Sequence, residues 1–202
     1  KYKMLESFLV TSRETLEASL VIGIVLAYLN KTNNHDYKKT VYYGIFFGII
    51  ASILAAFMFT SFSGGFEGKA EQIFEGITMI IGAFLLTTMI LWMMQQRHIA
   101  KEIHSKVERH ISNSGLFMSH FGIFTLIFVA IIREGTETVI FLNALNYASG
   151  LSFIGGTLGI VAAIIVGYLF FVSTRKINLK KLFDISSILL ILFAAGLVAH
   201  GI

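Results

Sequence analysis

The residues best suited to chemistry come in two matching runs, Arg13-Glu14-Thr15-Leu16-Glu17 and Arg133-Glu134-Gly135-Thr136-Glu137, each an R-E-x-x-E inside a long apolar stretch. On a helix Arg13 and Glu17 stand at i and i+4, and Glu14 and Glu17 at i and i+3, so all three share one broad face; the second run repeats that geometry. An ionisable side chain at membrane depth costs roughly 2.5–3.5 kcal/mol on the insertion scale, which makes a polar function the default reading of both runs. If the two faces oppose each other, four carboxylates and two guanidinium groups surround one small volume with a net negative charge. A buried cluster of that sign takes up protons or binds a cation. Carboxylate oxygens suit hard cations, and the chain has no cysteine to make a soft-metal site. The plainer alternative is that each arginine pairs with its own glutamate and only ties helices together. Two symmetric copies, each with one more carboxylate than its arginine can neutralise, weigh against it.

Other polar residues are weaker candidates. Glu67, Glu71 and Glu75 run at i, i+4 and i+8 from a short loop into an apolar stretch, where they could pass cations inward. Acids also favour helix N-termini for electrostatic reasons alone, so Glu75, the deepest of the three and followed by Gly76, carries more weight than Glu67 or Glu71. Asp184 is its expected counterpart on an exit path. His98, His104 and His110 read as solvated surface, and His120 and His200 as hydrogen-bonded structural residues near span ends. Met79, Met89, Met93 and Met94 read as lipid-facing or packing side chains. No G-x-x-x-x-G-K-[ST] loop and no G-x-S-x-G elbow occurs, so an ATP-driven pump or a hydrolase is not expected; the reading is a transporter and not an enzyme. No nucleic-acid partner is expected.

The elements that must position these residues are transmembrane helices. The chain of 202 residues is 55% hydrophobic and 14% charged, and its mean hydropathy is +0.77, values of a polytopic membrane protein. A hydrocarbon core of about 30 Å needs about 20 apolar residues, and six stretches qualify: 4–29, 40–62, 71–94, 116–147, 151–174 and 182–202. Proline is absent, so any bend must use glycine. No separate signal peptide is expected, because the first apolar stretch carries the motif. Eleven lysines and arginines fall in the connections 30–39, 95–115 and 175–181, against Lys1, Lys3 and Lys69 on the other side. The positive-inside rule makes the first set cytoplasmic and the N-terminus external.

The sequence also repeats. Arg13 to Glu17 matches Arg133 to Glu137, Gly44 and Gly48 match Gly155 and Gly159, and Phe74-Glu75 matches Phe183-Asp184. Three spans is an odd number, so the second copy must enter the membrane from the opposite side. The expected fold is therefore all-α, with two inverted three-helix repeats, 1–94 and 116–202, joined by a basic cytoplasmic connection, 95–115. Such repeats place a substrate site near the midplane, here between spans one and four.

The paired motifs, the Phe74-Glu75-Gly76 at the start of the third span and the Ala194-Ala-Gly-Leu-Val-Ala-His-Gly201 run of the sixth resemble the oxidase-dependent iron permease family of fungi and bacteria. The resemblance covers essentially the whole chain. It implies high-affinity iron uptake across the plasma membrane, the inner membrane in bacteria, with Glu14, Glu17, Glu134 and Glu137 binding iron in transit. It also implies an acidic outer mouth onto which Glu67, Glu71 and Glu75 map loosely, ferric iron as the usual substrate, and an iron-oxidising protein partner outside the membrane. Members typically have seven spans, so the resemblance leaves a seventh to be expected beyond Ile202.

The expected mechanism collects iron at the outer acids, passes it to the four glutamates and releases it near Asp184, with Arg13 and Arg133 balancing charge. Iron is then the transported substrate, with no prosthetic group, and a homo-oligomer is compatible with this scheme. Two alternatives stand beside it. One is a transporter of another cation, such as ferrous iron, manganese or lead; the other is a non-transporting sensor or assembly subunit whose Arg-Glu pairs are structural.

Overall fold

A computed structural model describes residues 2–95, 105, 107–108, 116–172, 188, 190–191, 194–196 and 198–199. Five long helices carry nearly all of them: α1 (Tyr2–Lys31), α2 (Lys38–Ser63), α3 (Lys69–Gln95), α4 (Leu116–Ala148) and α5 (Phe153–Val172), with a single 3-10 turn, His35–Tyr37, before α2. At about 1.5 Å per residue, the 30 residues of α1 and the 33 of α4 are longer than a bilayer core, and each carries its charged motif near its middle. With no proline to break them, α1 and α4 stop where the backbone turns left-handed. Asn33 (φ 56°) follows α1 and Gly150 (φ 86°) follows α4. After α1 the Asn34 N–H donates to the Leu29 carbonyl at 3.0 Å and the Asn33 N–H to the Asn30 carbonyl at 3.3 Å, the paired closing bonds of a Schellman end.

Two segments, His35–Ser63 and Lys69–Met89, are long and apolar enough to cross a membrane by length and composition alone. Helices α1 and α4 each hold three charges at their centre, and the apolar part of α5 is shorter. Most of the expected sixth span lies outside the described residues.

Polarity is turned inside out relative to a water-soluble protein. Ser7, Thr11, Arg13, Glu14, Thr78, Ser119 and Glu134 are buried, whereas Phe46, Phe57, Phe84, Phe153 and Ile164 are exposed, Phe57 by 70%. Monomeric soluble proteins rarely expose contiguous apolar surface on this scale.

Helix contacts follow a cross-paired order. Helix α1 packs along α5 and α2 along α4, while α1 and α4 meet in the middle and α3 lies against α4. Small residues permit the two tightest contacts. A methyl group on Gly44 would stand 2.9 Å from Ile127 Cβ, and one on Gly48 2.7 Å from Ile131 Cβ; one on Gly155 would meet the Met4 carbonyl, and one on Gly159 the Thr11 hydroxyl. Sequence numbers rise together in both contacts, so α2 runs parallel to α4 and α1 parallel to α5. By contrast α1 and α4 are antiparallel. Ser149 Oγ, at the end of α4, donates to Glu6 Oε2 at 2.8 Å near the start of α1, and Val25 and Leu29, at the far end of α1, pack in one cluster with Ile123 and Ile127.

Candidate metal centre

The antiparallel meeting of α1 and α4 brings the two charged runs face to face. One carboxylate oxygen each from Glu14, Glu134 and Glu137 lie within 4.8 Å of one another, a spacing a single metal ion could bridge. Glu14 is 1% exposed, and both of its oxygens, together with Glu134 Oε2, are buried and accept no hydrogen bond among the described residues. A buried acceptor without a donor is costly unless something else completes it, and two such carboxylates converging with a third, that of Glu137, offer the oxygen donors of a hard cation.

The arginines differ. Arg13 is 1% exposed; its Nη1 stands 3.7 Å from Glu14 Oε1 and its Nε 3.5 Å from Glu17 Oε1. Arg133 is 49% exposed, and its Nε donates a 3.0 Å hydrogen bond to Glu137 Oε1, with Glu134 Oε1 at 3.9 Å. Glu17 lies beside Arg13, outside the trio whose oxygens converge.

Neighbouring packing fixes the two helices. Thr11 Oγ1, one turn before Glu14, donates to the Gly156 carbonyl on α5 at 2.9 Å. Gly135, inside the second motif, lets the Ser52 side chain of α2 sit directly against α4. On α3 the buried residues Thr78, Met79, Ala83, Leu86 and Met89 form one stripe beginning near the half-buried Glu75. Fourteen residues of rise, about 21 Å, separate Glu75 from Met89, so Glu75 is no ligand of the same ion. Glu67 and Glu71 are exposed at the α2–α3 connection. Asp184, His98, His104, His110 and His200 lie outside the described residues. His120 is half-buried, its ring 4.5 Å from that of Tyr37.

Sequence reasoning assigned Met89 to packing, yet its sulfur accepts from Arg13 Nη1 at 3.0 Å. Spacing on α3 alone could not show this, because the partner sits on another helix.

Apolar surface outside, buried charge inside and antiparallel helices meeting at mid-length define the class: a helical membrane protein with an ionisable cluster in its centre. The chain belongs to the iron permease FTR1 family, whose family model matches residues 4–202. It is 31% identical to the ferrous iron permease EfeU of Yersinia pestis over 98% of this chain and 71% of that protein. It is 32% identical to that of Yersinia pseudotuberculosis over 96% and 69%, and 28% identical to that of Escherichia coli O6:K15:H31 over 98% and 72%. No solved structure matches the chain.

Proposed function

We propose that this iron permease moves iron inward across the bacterial inner membrane through the glutamate cluster between α1 and α4. The convergence of Glu14, Glu134 and Glu137 within 4.8 Å carries this reading. Glu17, held by Arg13, supplies a fourth carboxylate as the ion passes, and Arg13 and Arg133 keep the empty site from being too acidic. Glu75 stands on the outer approach and Asp184 on the inner exit. The cross-pairing of helices supports an inverted repeat: in the register that pairs Arg133 with Arg13, Phe124 and Ile131 correspond to Met4 and Thr11, and these are the residues that meet the paired glycines of α2 and α5. Charge favours ferrous iron, the ion in the relatives' names. Four carboxylates and two guanidinium groups leave two negative charges, which a divalent ion neutralises and a trivalent ion overshoots in a low-dielectric site. Ferric iron, implied by the motifs and suited to oxygen donors, is the second reading.

In proteoliposomes, Glu137→Gln should abolish iron uptake while the protein accumulates and elutes as the parent does. Uptake at the parental rate would refute the glutamate site. Comparing ascorbate-reduced iron with ferric citrate as the supplied substrate separates the two oxidation states.

A further inference from the structure

The two halves of the cluster are built differently, and the difference traces to α3. Both arginines face the same choice, since each has two glutamates of its own motif within reach. Arg133 takes the direct bond, 3.0 Å to Glu137. Arg13 stands further from its own glutamates, 3.7 Å from Glu14 and 3.5 Å from Glu17, and the same Nη1 that faces Glu14 donates to the Met89 sulfur at 3.0 Å. Met89 is buried in the cluster that also holds Val10, Leu86 and Phe141, so its sulfur has little room to move. The repeat does not carry a thioether at the corresponding position. In the register that pairs Glu75 with Asp184, Met89 pairs with Val198, which is aliphatic and 41% exposed.

We propose that Met89 is a positioning residue for transport: its sulfur holds the Arg13 guanidinium back from Glu14, so that the Glu14 oxygens stay open to the cation. A thioether suits this task because it is a weak acceptor on a flexible apolar stem. It competes with a carboxylate for one N–H without adding a negative charge to the site. Arg13 thereby remains close enough to offset charge and too far to occupy the ligand atoms. Arg133, half-exposed and bonded to Glu137, is the counter-ion that the arriving cation displaces. This inference rests on the glutamate site proposed above.

The test uses the full chain in proteoliposomes supplied with ascorbate-reduced iron, with KM and maximal rate measured separately. Met89→Leu keeps the volume and removes the acceptor; Met89→Gln restores an acceptor of similar reach. The expected result is a KM raised at least about tenfold in Met89→Leu, the scale of one lost hydrogen bond to a charged group, with the maximal rate within twofold of the parent and Met89→Gln returning KM toward parental. A purely packing role predicts the reverse order, Leu tolerated and Gln impaired, and that order overturns the proposal. Met89→Leu decides alone if the Gln variant does not accumulate, because parental KM in it also overturns the proposal. Glu137→Gln, run alongside, tells the two ideas apart: if it transports normally the glutamate site falls, whereas if it is inactive and Met89→Leu is parental, only the role of Met89 falls.

Discussion

Each charged residue of the cluster stands in its own surroundings, so substitutions of one chemical type should differ in effect. Glu14 is the most deeply buried carboxylate of the cluster and one of the converging trio, whereas Glu17 lies beside Arg13 and outside that trio. Glu14→Gln should therefore lower iron uptake at least about tenfold more than Glu17→Gln, a difference worth about 1.4 kcal/mol. Initial rates in proteoliposomes at limiting iron check this, and equal losses would place all four carboxylates on the same footing. Arg133 differs from Arg13 in the same way. Half-exposed and hydrogen-bonded to Glu137, it can let go of that carboxylate without leaving a charge stranded in an apolar core.

Among the helices, the close crossings hold the two motifs in register. Gly48 lies against Ile131, two residues before Arg133, and Gly159 lies against Thr11, two residues before Arg13. A side chain at either glycine pushes apart the pair that aims a motif. Gly48→Leu should destabilise the protein by about 2 kcal/mol, in the range of overpacking substitutions, and lower iron uptake with it. Ile53→Leu, on the exposed face of the same helix, should leave both unchanged. Thermal unfolding in detergent and uptake in proteoliposomes measure the two effects. No comparable constraint is visible along the outward faces of α2 and α5, where large apolar side chains point away from the other helices.

For the whole molecule, the proposal requires an orientation and a driving force. The chain has no cysteine, so single cysteines report sidedness without background. Gly65→Cys, between α2 and α3, should react with an impermeant maleimide on intact spheroplasts. Thr32→Cys, between α1 and α2, should react only after permeabilisation; the opposite pattern would invert the topology. A divalent cation moving its full charge into a negative interior gains about 4.6 kcal/mol per 100 mV. Uptake should therefore rise when a potassium diffusion potential, inside negative, is imposed on proteoliposomes, and stay flat if transport is electroneutral.

The sequence by itself determined the class of fold and the identity of the charged residues. Apolar stretches of spanning length admit only helices in lipid, and two R-E-x-x-E runs within them are too costly to be incidental. The same local rules marked Gly44, Gly48, Gly155 and Gly159 as helix contacts, because small residues four apart form a flat stripe on a helix. Only the tertiary structure decided which side chains share one volume. It set Glu17 apart from the converging Glu14, Glu134 and Glu137, gave Arg13 and Arg133 unequal burial, and brought the Met89 sulfur to Arg13. Spacing along a helix fixes which residues share a face, but the partner opposite that face depends on how the helices cross. The cluster is therefore a property of three helices at once.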